Sequence, residues 1–363
     1  MKKIFTLFLF TAATMTASAQ SNGYYRAQNV NYEKYLVMID NKSAGLQGTT
    51  PDLGAFTMES RESILTHPGS IVYISSKGNS KYDLESQGSG LGKLTGGILY
   101  PTLLKQSDGS YIITGSYSGI QFYLQAKSSS IEVILGNNFK DTAKGRWNLL
   151  PIDTKNNYLG IKPDVKTDDG SYWGTFYAGF PFKLASDGME AYYVDGVNDY
   201  SFTLKKVSGT IAATVPVLIK CSSNDPSKNM IEPVESGGSK PSDNKIYGVF
   251  FDSDTRNHVN HKEFSSSTMR VIGTSGGKLA FVKASSDYLT DGKYLPHNKC
   301  YLEVKSSAQS TLSVSETLGI DAVEAEVPAG KEGIYTLTGQ KIPDGVTPRP
   351  GIYIQNGKKI VIK

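Results

Sequence analysis

The sequence predicts an all-β protein, in which a barrel of short repeated strands is followed by an antiparallel sandwich and a small C-terminal β domain. Three observations predict it. Apolar runs are short and alternate with polar residues, as strands with one covered face do. The 363 residues include 37 glycines and 22 tyrosines, a composition of turns and pleated surfaces. Turn tripeptides recur, among them Ser107-Asp108-Gly109, Asp168-Asp169-Gly170, Ser186-Asp187-Gly188 and Ser275-Gly276-Gly277. Long 3.6-residue patterns are scarce, so helices are not expected to carry the core.

The first segment reads as an address. Lys2 and Lys3 precede the mostly apolar stretch Ile4–Met15, and Ala17-Ser18-Ala19 supplies small residues before Gln20. That order is a secretory signal peptide over residues 1–20. The apolar stretch is too short for a membrane-spanning helix, which needs about 20 residues. The chain carries 38 basic and 34 acidic residues; loss of Lys2 and Lys3 leaves 36 against 34. Such a balance gives no reason to expect a nucleic-acid partner.

Residues 21–164 repeat a unit. The strand-like runs Tyr24–Ala27, Ile71–Ile74, Tyr111–Thr114 and Trp147–Leu150 each lead to a second run, and the second runs contain Tyr35, Tyr82, Tyr123 and Tyr158. Those tyrosines stand 47, 41 and 35 residues apart. Repeats near this length, each holding a few strands, suggest a closed barrel. The unit resembles those of ricin-like β-trefoils. The resemblance implies a carbohydrate or a host or surface protein as partner. Tyr24, Tyr25 and Trp147 are the candidate stacking residues, because sugar faces pack on aromatic rings. The same rings also suit a barrel core.

Residues 165–305 read as the sandwich. The run Tyr172-Trp173-Gly174-Thr175-Phe176-Tyr177 brings four aromatics together, with Tyr172 and Tyr177 as further ligand candidates and Trp173 as core. Residues 222–244, with Pro226, Pro233, Pro241 and Gly237-Gly238, read as a long exposed loop. Cys221 and Cys300 each border an apolar strand-like run. In an exported protein they form either a disulfide or two buried thiols. The pieces Ser186–Val194, Ile211–Lys220 and Leu295–Leu302 resemble a β-sandwich module of surface and secreted proteins of Bacteroidota, which implies a location more than an activity.

Residues 306–318 are Ser-rich and read as a linker. Beyond them, over residues 319–363, Gly333, Tyr335 and Gly339 precede Gly351, Tyr353, Gly357 and Lys358. The pattern is strand, glycine turn, strand, then an Asn-Gly hairpin into a basic last strand. It is similar to the C-terminal sorting domain of type IX secretion cargo. The resemblance implies outer-membrane secretion machinery as a partner and the cell surface or the medium as the destination.

Chemical motifs are weak. Asp252, Asp254 and Glu263 imitate part of a calcium loop, but Arg256 and Asn257 occupy the positions that need a ligand and a glycine. His258 and His261 lack a metalloprotease glutamate. No nucleophile elbow or phosphate-cradling turn before a helix is present. The acids Asp168, Asp169, Asp187, Glu190, Asp195 and Asp199 fall mostly at turns, where aspartate bonds the local backbone. The sequence therefore predicts no catalytic residue, metal or cofactor. Its reading is an exported, non-enzymatic binding or adhesion protein of the cell surface. A structural surface protein without a small ligand, and a secreted hydrolase without a recognised motif, are the alternatives.

Overall fold

The computed structural model describes residues 20–39, 56–87, 101–117, 119–252, 261–284, 289–315, 333–336, 340–343, 346, 348–355 and 358–362. Residues 1–19 of the expected signal peptide over residues 1–20, together with Gly339 and Gly357 of the tail, lie outside them. The described residues are predominantly strand, with helices of one turn only. Among them no helix is long and apolar enough to cross a membrane. The chain divides into residues 1–315 and 316–363.

The first ten strands are β1 (Gly23–Asn29), β2 (Tyr35–Met38), β3 (Phe56–Glu59), β4 (Val72–Gly78), β5 (Lys81–Ser86), β6 (Thr102–Lys105), β7 (Tyr111–Tyr117), β8 (Ile120–Ala126), β9 (Ile131–Leu135) and β10 (Arg146–Pro151). Six of them close a ring of antiparallel pairs, β1–β4–β5–β6–β7–β10 and back to β1. Closure removes the exposed edges that an open sheet would present. The hairpin β2–β3 hangs from β1 and the hairpin β8–β9 from β7. Each ring strand sends at least one large side chain into a shared core, among them Tyr25, Ile74, Tyr82, Leu103, Tyr111 and Trp147. Tyr25, Tyr82, Tyr111 and Trp147 thus fill the ring, whereas Tyr35 belongs to another apolar cluster and Tyr123 is half-buried.

Alternation on β1 places Arg26 on the opposite side from Tyr25 and Ala27. It is nonetheless fully buried, beneath α1 (Arg61–Ile64) and the turn Pro68–Ser70. Its Nε–H donates to Ser70 Oγ at 2.9 Å, and Nη1 donates to Asn157 Oδ1 at 2.8 Å and Tyr158 O at 2.9 Å. Nη2 donates to Ile64 O at 2.8 Å. Asn157 is held in turn by Leu150 O and Pro151 O. One guanidinium thus fastens the ring to three segments that cover it.

The second set of strands is β11 (Leu159–Gly160), β12 (Val165–Lys166), β13 (Tyr172–Phe176), β14 (Phe182–Leu184), β15 (Glu190–Val197), β16 (Ser201–Val207), β17 (Val217–Cys221), β18 (Met230–Pro233), β19 (Ile246–Gly248), β20 (Met269–Ser275), β21 (Lys278–Val282), β22 (Cys300–Glu303) and β23 (Thr311–Val314). A three-stranded sheet runs β11-β18-β14, and a ten-stranded sheet runs β12-β13-β17-β15-β16-β23-β21-β20-β22-β19. Both faces of β17 are covered. Val217, Ile219 and Cys221 join one apolar cluster with Phe182 and Ile231, and Leu218 joins another with Phe202, Phe281 and Leu312. The turn aspartates behave as expected: Asp108 accepts from the Ser110 amide and Asp169 from the Ser171 amide. The tight turn between β20 and β21 places Gly276 and Gly277 at φ of +53° and +73°, where glycine is needed.

Three expectations are corrected, and one open alternative is resolved. Residues 222–244 are not one exposed loop, because Met230–Pro233 forms β18, the middle strand of its sheet, with Ile231 fully buried. Residues 306–318 are not a linker throughout. Thr311–Val314 is β23, inserted between β16 and β21, and its alternation turns Leu312 into the core. The boundary at 164/165 does not separate two bodies, since Tyr177, Phe250 and Phe251 pack into the ring's core and Ile71 packs into the core of the second set. Of the two alternatives left open for Cys221 and Cys300, the structure has the buried thiols, both free. They belong to different apolar clusters, so their side chains have different neighbours. Cys300 Sγ donates to Phe176 O at 3.3 Å, and burial pushes both thiols up to about 12.

In residues 316–363, β24 (Ile334–Thr336), β25 (Gly351–Gln355) and β26 (Lys358–Ile362) form an antiparallel three-stranded sheet in that order. Gly333 precedes β24 with φ of +143°, and Tyr335 pairs with Ile354 across the sheet. Gly351 opens β25, and the Tyr353 hydroxyl donates to Arg349 O at 2.8 Å. Lys358 opens β26 opposite Gln355.

Candidate functional site

The five aromatics proposed as ligand contacts do not gather into a site. Trp147 has no exposed surface, and its Nε1–H donates to Leu124 O at 3.2 Å. Tyr25 is buried in the same core, with its hydroxyl against Ser21. Neither offers a face to a ligand, because the ring needs both as filling. Tyr24 lies at the seam between the ring and the second set of strands. Its ring meets Tyr73 and Phe180, and its hydroxyl donates to Val234 O at 3.1 Å. Tyr177 fills a similar place against Phe250, and burial pushes its hydroxyl up to about 12. Gly248 leaves the room this ring needs, since a methyl group there would overlap it. Tyr172 is half-buried beside Lys166.

A different aromatic pair stands on the outer part of the first set. The rings of Tyr123, on β8, and Phe139 stack with centroids 4.0 Å apart and planes 7° from parallel. Both residues are half-buried. Phe139 also packs on Gly145, the residue before Arg146. Arg146 binds Asp141 through two nitrogens, Nε at 2.8 Å and Nη2 at 2.9 Å, and Asp108 through Nη1 at 2.8 Å. The hydroxyl and amide of Ser110 hold the Asp108 carboxyl below its usual range, with Arg146 adding to the effect. The Arg146 guanidinium does the same to Asp141. Aromatic surface and fixed charged hydrogen-bonding groups thus lie close together. Sequence reading used Tyr123 only as a repeat marker and missed Phe139 and Arg146. The five-residue spacing of Asp141 and Arg146 was the one local signal.

Two neighbouring chambers share part of their lining. The first, of about 350 Å³, lies at the seam between the two sets of strands and is lined by Thr66, Pro68, Lys162, Pro163, His297 and Asn298, among others. The second, of about 330 Å³, lies within the second set of strands and is lined by Val271, Ile272, Val282, Lys283, Leu295 and Pro296, among others. Both share Asp164, Thr175 and Lys299. Lys299 Nζ lies 2.6 Å from Asp164 Oδ1, and Asp164 Oδ2 accepts from the Thr175 amide at 2.9 Å. These residues are far apart in sequence, and nothing in the sequence marked them. Among the described residues no group of three or more His, Cys, Asp or Glu side chains gathers as a metal site requires.

Beneath the first chamber, His67 and His297 stack face to face, 4.0 Å apart and 8° from parallel. The Gly69 amide donates to His67 Nδ1 at 3.0 Å, which requires that nitrogen to be unprotonated. Burial, then His297, then Arg26, push His67 down to about 3. In the unfolded chain a histidine titrates near 6.5. Above that pH neither state binds the proton and the full stability is present. As pH falls from 6.5 toward 3, the unfolded chain takes up a proton that the folded chain refuses, so stability falls. The limiting slope is about 1.4 kcal/mol per pH unit. An edge of His67 remains accessible, so the observed slope will be shallower. Urea midpoints at pH 7.5, 6.0 and 5.0, above the carboxylate range, are expected to decline, and His67→Gln is expected to flatten the decline.

No family model, curated protein or solved structure matches the chain.

Proposed function

We propose that the chain is an exported, non-enzymatic binding protein of the cell surface, with a β-trefoil in residues 21–164 that captures carbohydrate. The observation that carries this reading is the closure of the ring by β10, which pairs with both β1 and β7. Two hairpins are inserted at equivalent places, β2–β3 between β1 and β4, and β8–β9 between β7 and β10. That repetition supports a trefoil, a rigid scaffold of three such units of which two hairpins fall among the described residues. The two-faced packing of the second set supports a sandwich module behind it. The saccharide platform moves from the five aromatics of the sequence reading to Tyr123 and Phe139, with Arg146, Asp108 and Asp141 as hydrogen-bonding partners. Residues 319–363 act as a sorting signal read by outer-membrane secretion machinery.

A glycan array probed with the full mature chain tests the binding. At least one glycan class is expected to be retained, and Phe139→Ala is expected to abolish the signal while leaving the melting transition in place. A blank array sinks the carbohydrate reading. Fractionation of the producing cell tests the address: the protein is expected at the cell surface or in the medium, and retention in the periplasm contradicts the sorting role.

A further inference from the structure

We propose that the two neighbouring chambers that share Asp164, Thr175 and Lys299 form a second, separate binding site, for a carboxylate that carries an apolar arm. The proposal goes beyond the carbohydrate reading and does not depend on it. Charge is the first argument. Lys162 lines the first chamber, Lys283 the second, and Lys299 both, whereas Asp164 is the one carboxylate in either lining. Cations exceed anions, and a ligand of opposite sign completes the balance. Lys299 spends one donor on Asp164 and has three in all, so its ammonium can hold a second oxygen beside the first. Its side chain keeps about a quarter of its surface accessible (26%), enough to be reached.

The division of chemistry between the chambers is the second argument. Beside the shared Asp164–Lys299 pair, the first chamber mixes Thr66, Lys162, His297 and Asn298 with Pro68, Ile161 and Phe176. The second is mostly apolar, with Val271, Ile272, Val282, Leu295 and Pro296 beside the exposed Lys283. A purely polar ligand leaves the apolar wall of the second chamber unused, and a purely apolar one brings no charge to Lys162 and Lys299. A carboxylate at Lys299 with an aliphatic arm along Ile272 and Val282 uses both. Burying the arm removes apolar surface from water, while the lysines supply charge-assisted hydrogen bonds to the head. A fatty acid and a peptide C-terminus ending in an aliphatic residue share this chemistry.

Calorimetry on the full mature chain tests it, with octanoate, 1-octanol and acetate as probes, and acetyl-Leu-Leu as free acid and as amide. Saturable binding is expected for octanoate or for the peptide acid. Octanol, acetate and the amide are expected to bind at least about tenfold more weakly, the loss of one charge-assisted contact. The tighter of octanoate and the peptide acid names the source. Lys299→Met is expected to erase the preference for the acid. Lys162 is exposed, so Lys162→Gln provides a second variant whose folding is not at risk, with an expected severalfold loss. Failure of both acids to bind, equal binding of octanol and octanoate, or unchanged affinity in folded Lys162→Gln and Lys299→Met would each overturn the proposal. A blank glycan array leaves these outcomes untouched, so the two readings fail separately.

Discussion

Trp147→Ala is expected to lower the stability of the body formed by residues 20–315 by about 3–5 kcal/mol. The indole is wholly enclosed in the ring core, among side chains contributed by every other ring strand. Removing it leaves a void that the ring cannot collapse to fill, because β10 is held on both sides, by β1 and by β7. It also strips the Leu124 carbonyl of its indole donor. A drop of roughly 10 °C in the thermal midpoint is the expected result. Trp147→Phe retains most of the volume and is expected to recover more than half of the loss. A Trp147→Ala protein that melts within a degree or two of the parent would show that the indole does not fill the ring.

Arg26→Met is the second large effect, again about 3–5 kcal/mol, the range for breaking a buried charged network by removing one partner. Methionine keeps much of the length and none of the donors. Ile64 O, Tyr158 O and Asn157 Oδ1 each lose a hydrogen bond in a place where water has little access. Burial draws Arg26 down to about 9, so the guanidinium stays charged at neutral pH while it is surrounded by neutral acceptors. Lysine has the charge and too few directed donors, so Arg26→Lys is expected to rescue less than half. Because the network ties β1 to α1 and to the segment at Asn157, hydrogen exchange is expected to quicken there before the ring opens. Arg270 repeats the device in the second set of strands, donating to Gln309 O, Ser266 O, Met269 O and Ala308 O.

The strands were legible where the physics is local. Tyr24–Ala27, Tyr111–Thr114 and Trp147–Leu150 fall in β1, β7 and β10, because alternation and β-branched or aromatic residues act over a few positions. The repeat of tyrosines pointed to a closed barrel, but the pairing of β10 with two strands from distant parts of the chain left no local mark, so which strands close the ring was not readable. Polarity misled in two places. Met230–Pro233 and Thr311–Val314 sit in polar surroundings, yet a single inward residue in each, Ile231 and Leu312, suffices to place a strand. Trp147 and Tyr25 could have faced either side of a strand, and only closure of the ring decided it. Asp164, Lys299 and Phe139 were invisible for the same reason: a site assembled from separate turns has no spacing to find.

The position of β23 has a mechanical consequence. It is the last strand of the main body, hydrogen-bonded on one side to β16 in parallel and on the other to β21 in antiparallel. Any force applied through residue 316 therefore enters the body at an interior strand. A pull along that strand loads the bonds to both neighbours in shear, and they must yield together, whereas an edge strand would peel bond by bond. A surface protein tethered by its C-terminal segment would hold under drag for that reason, and Leu312, anchored in the core, would be the last side chain to slip.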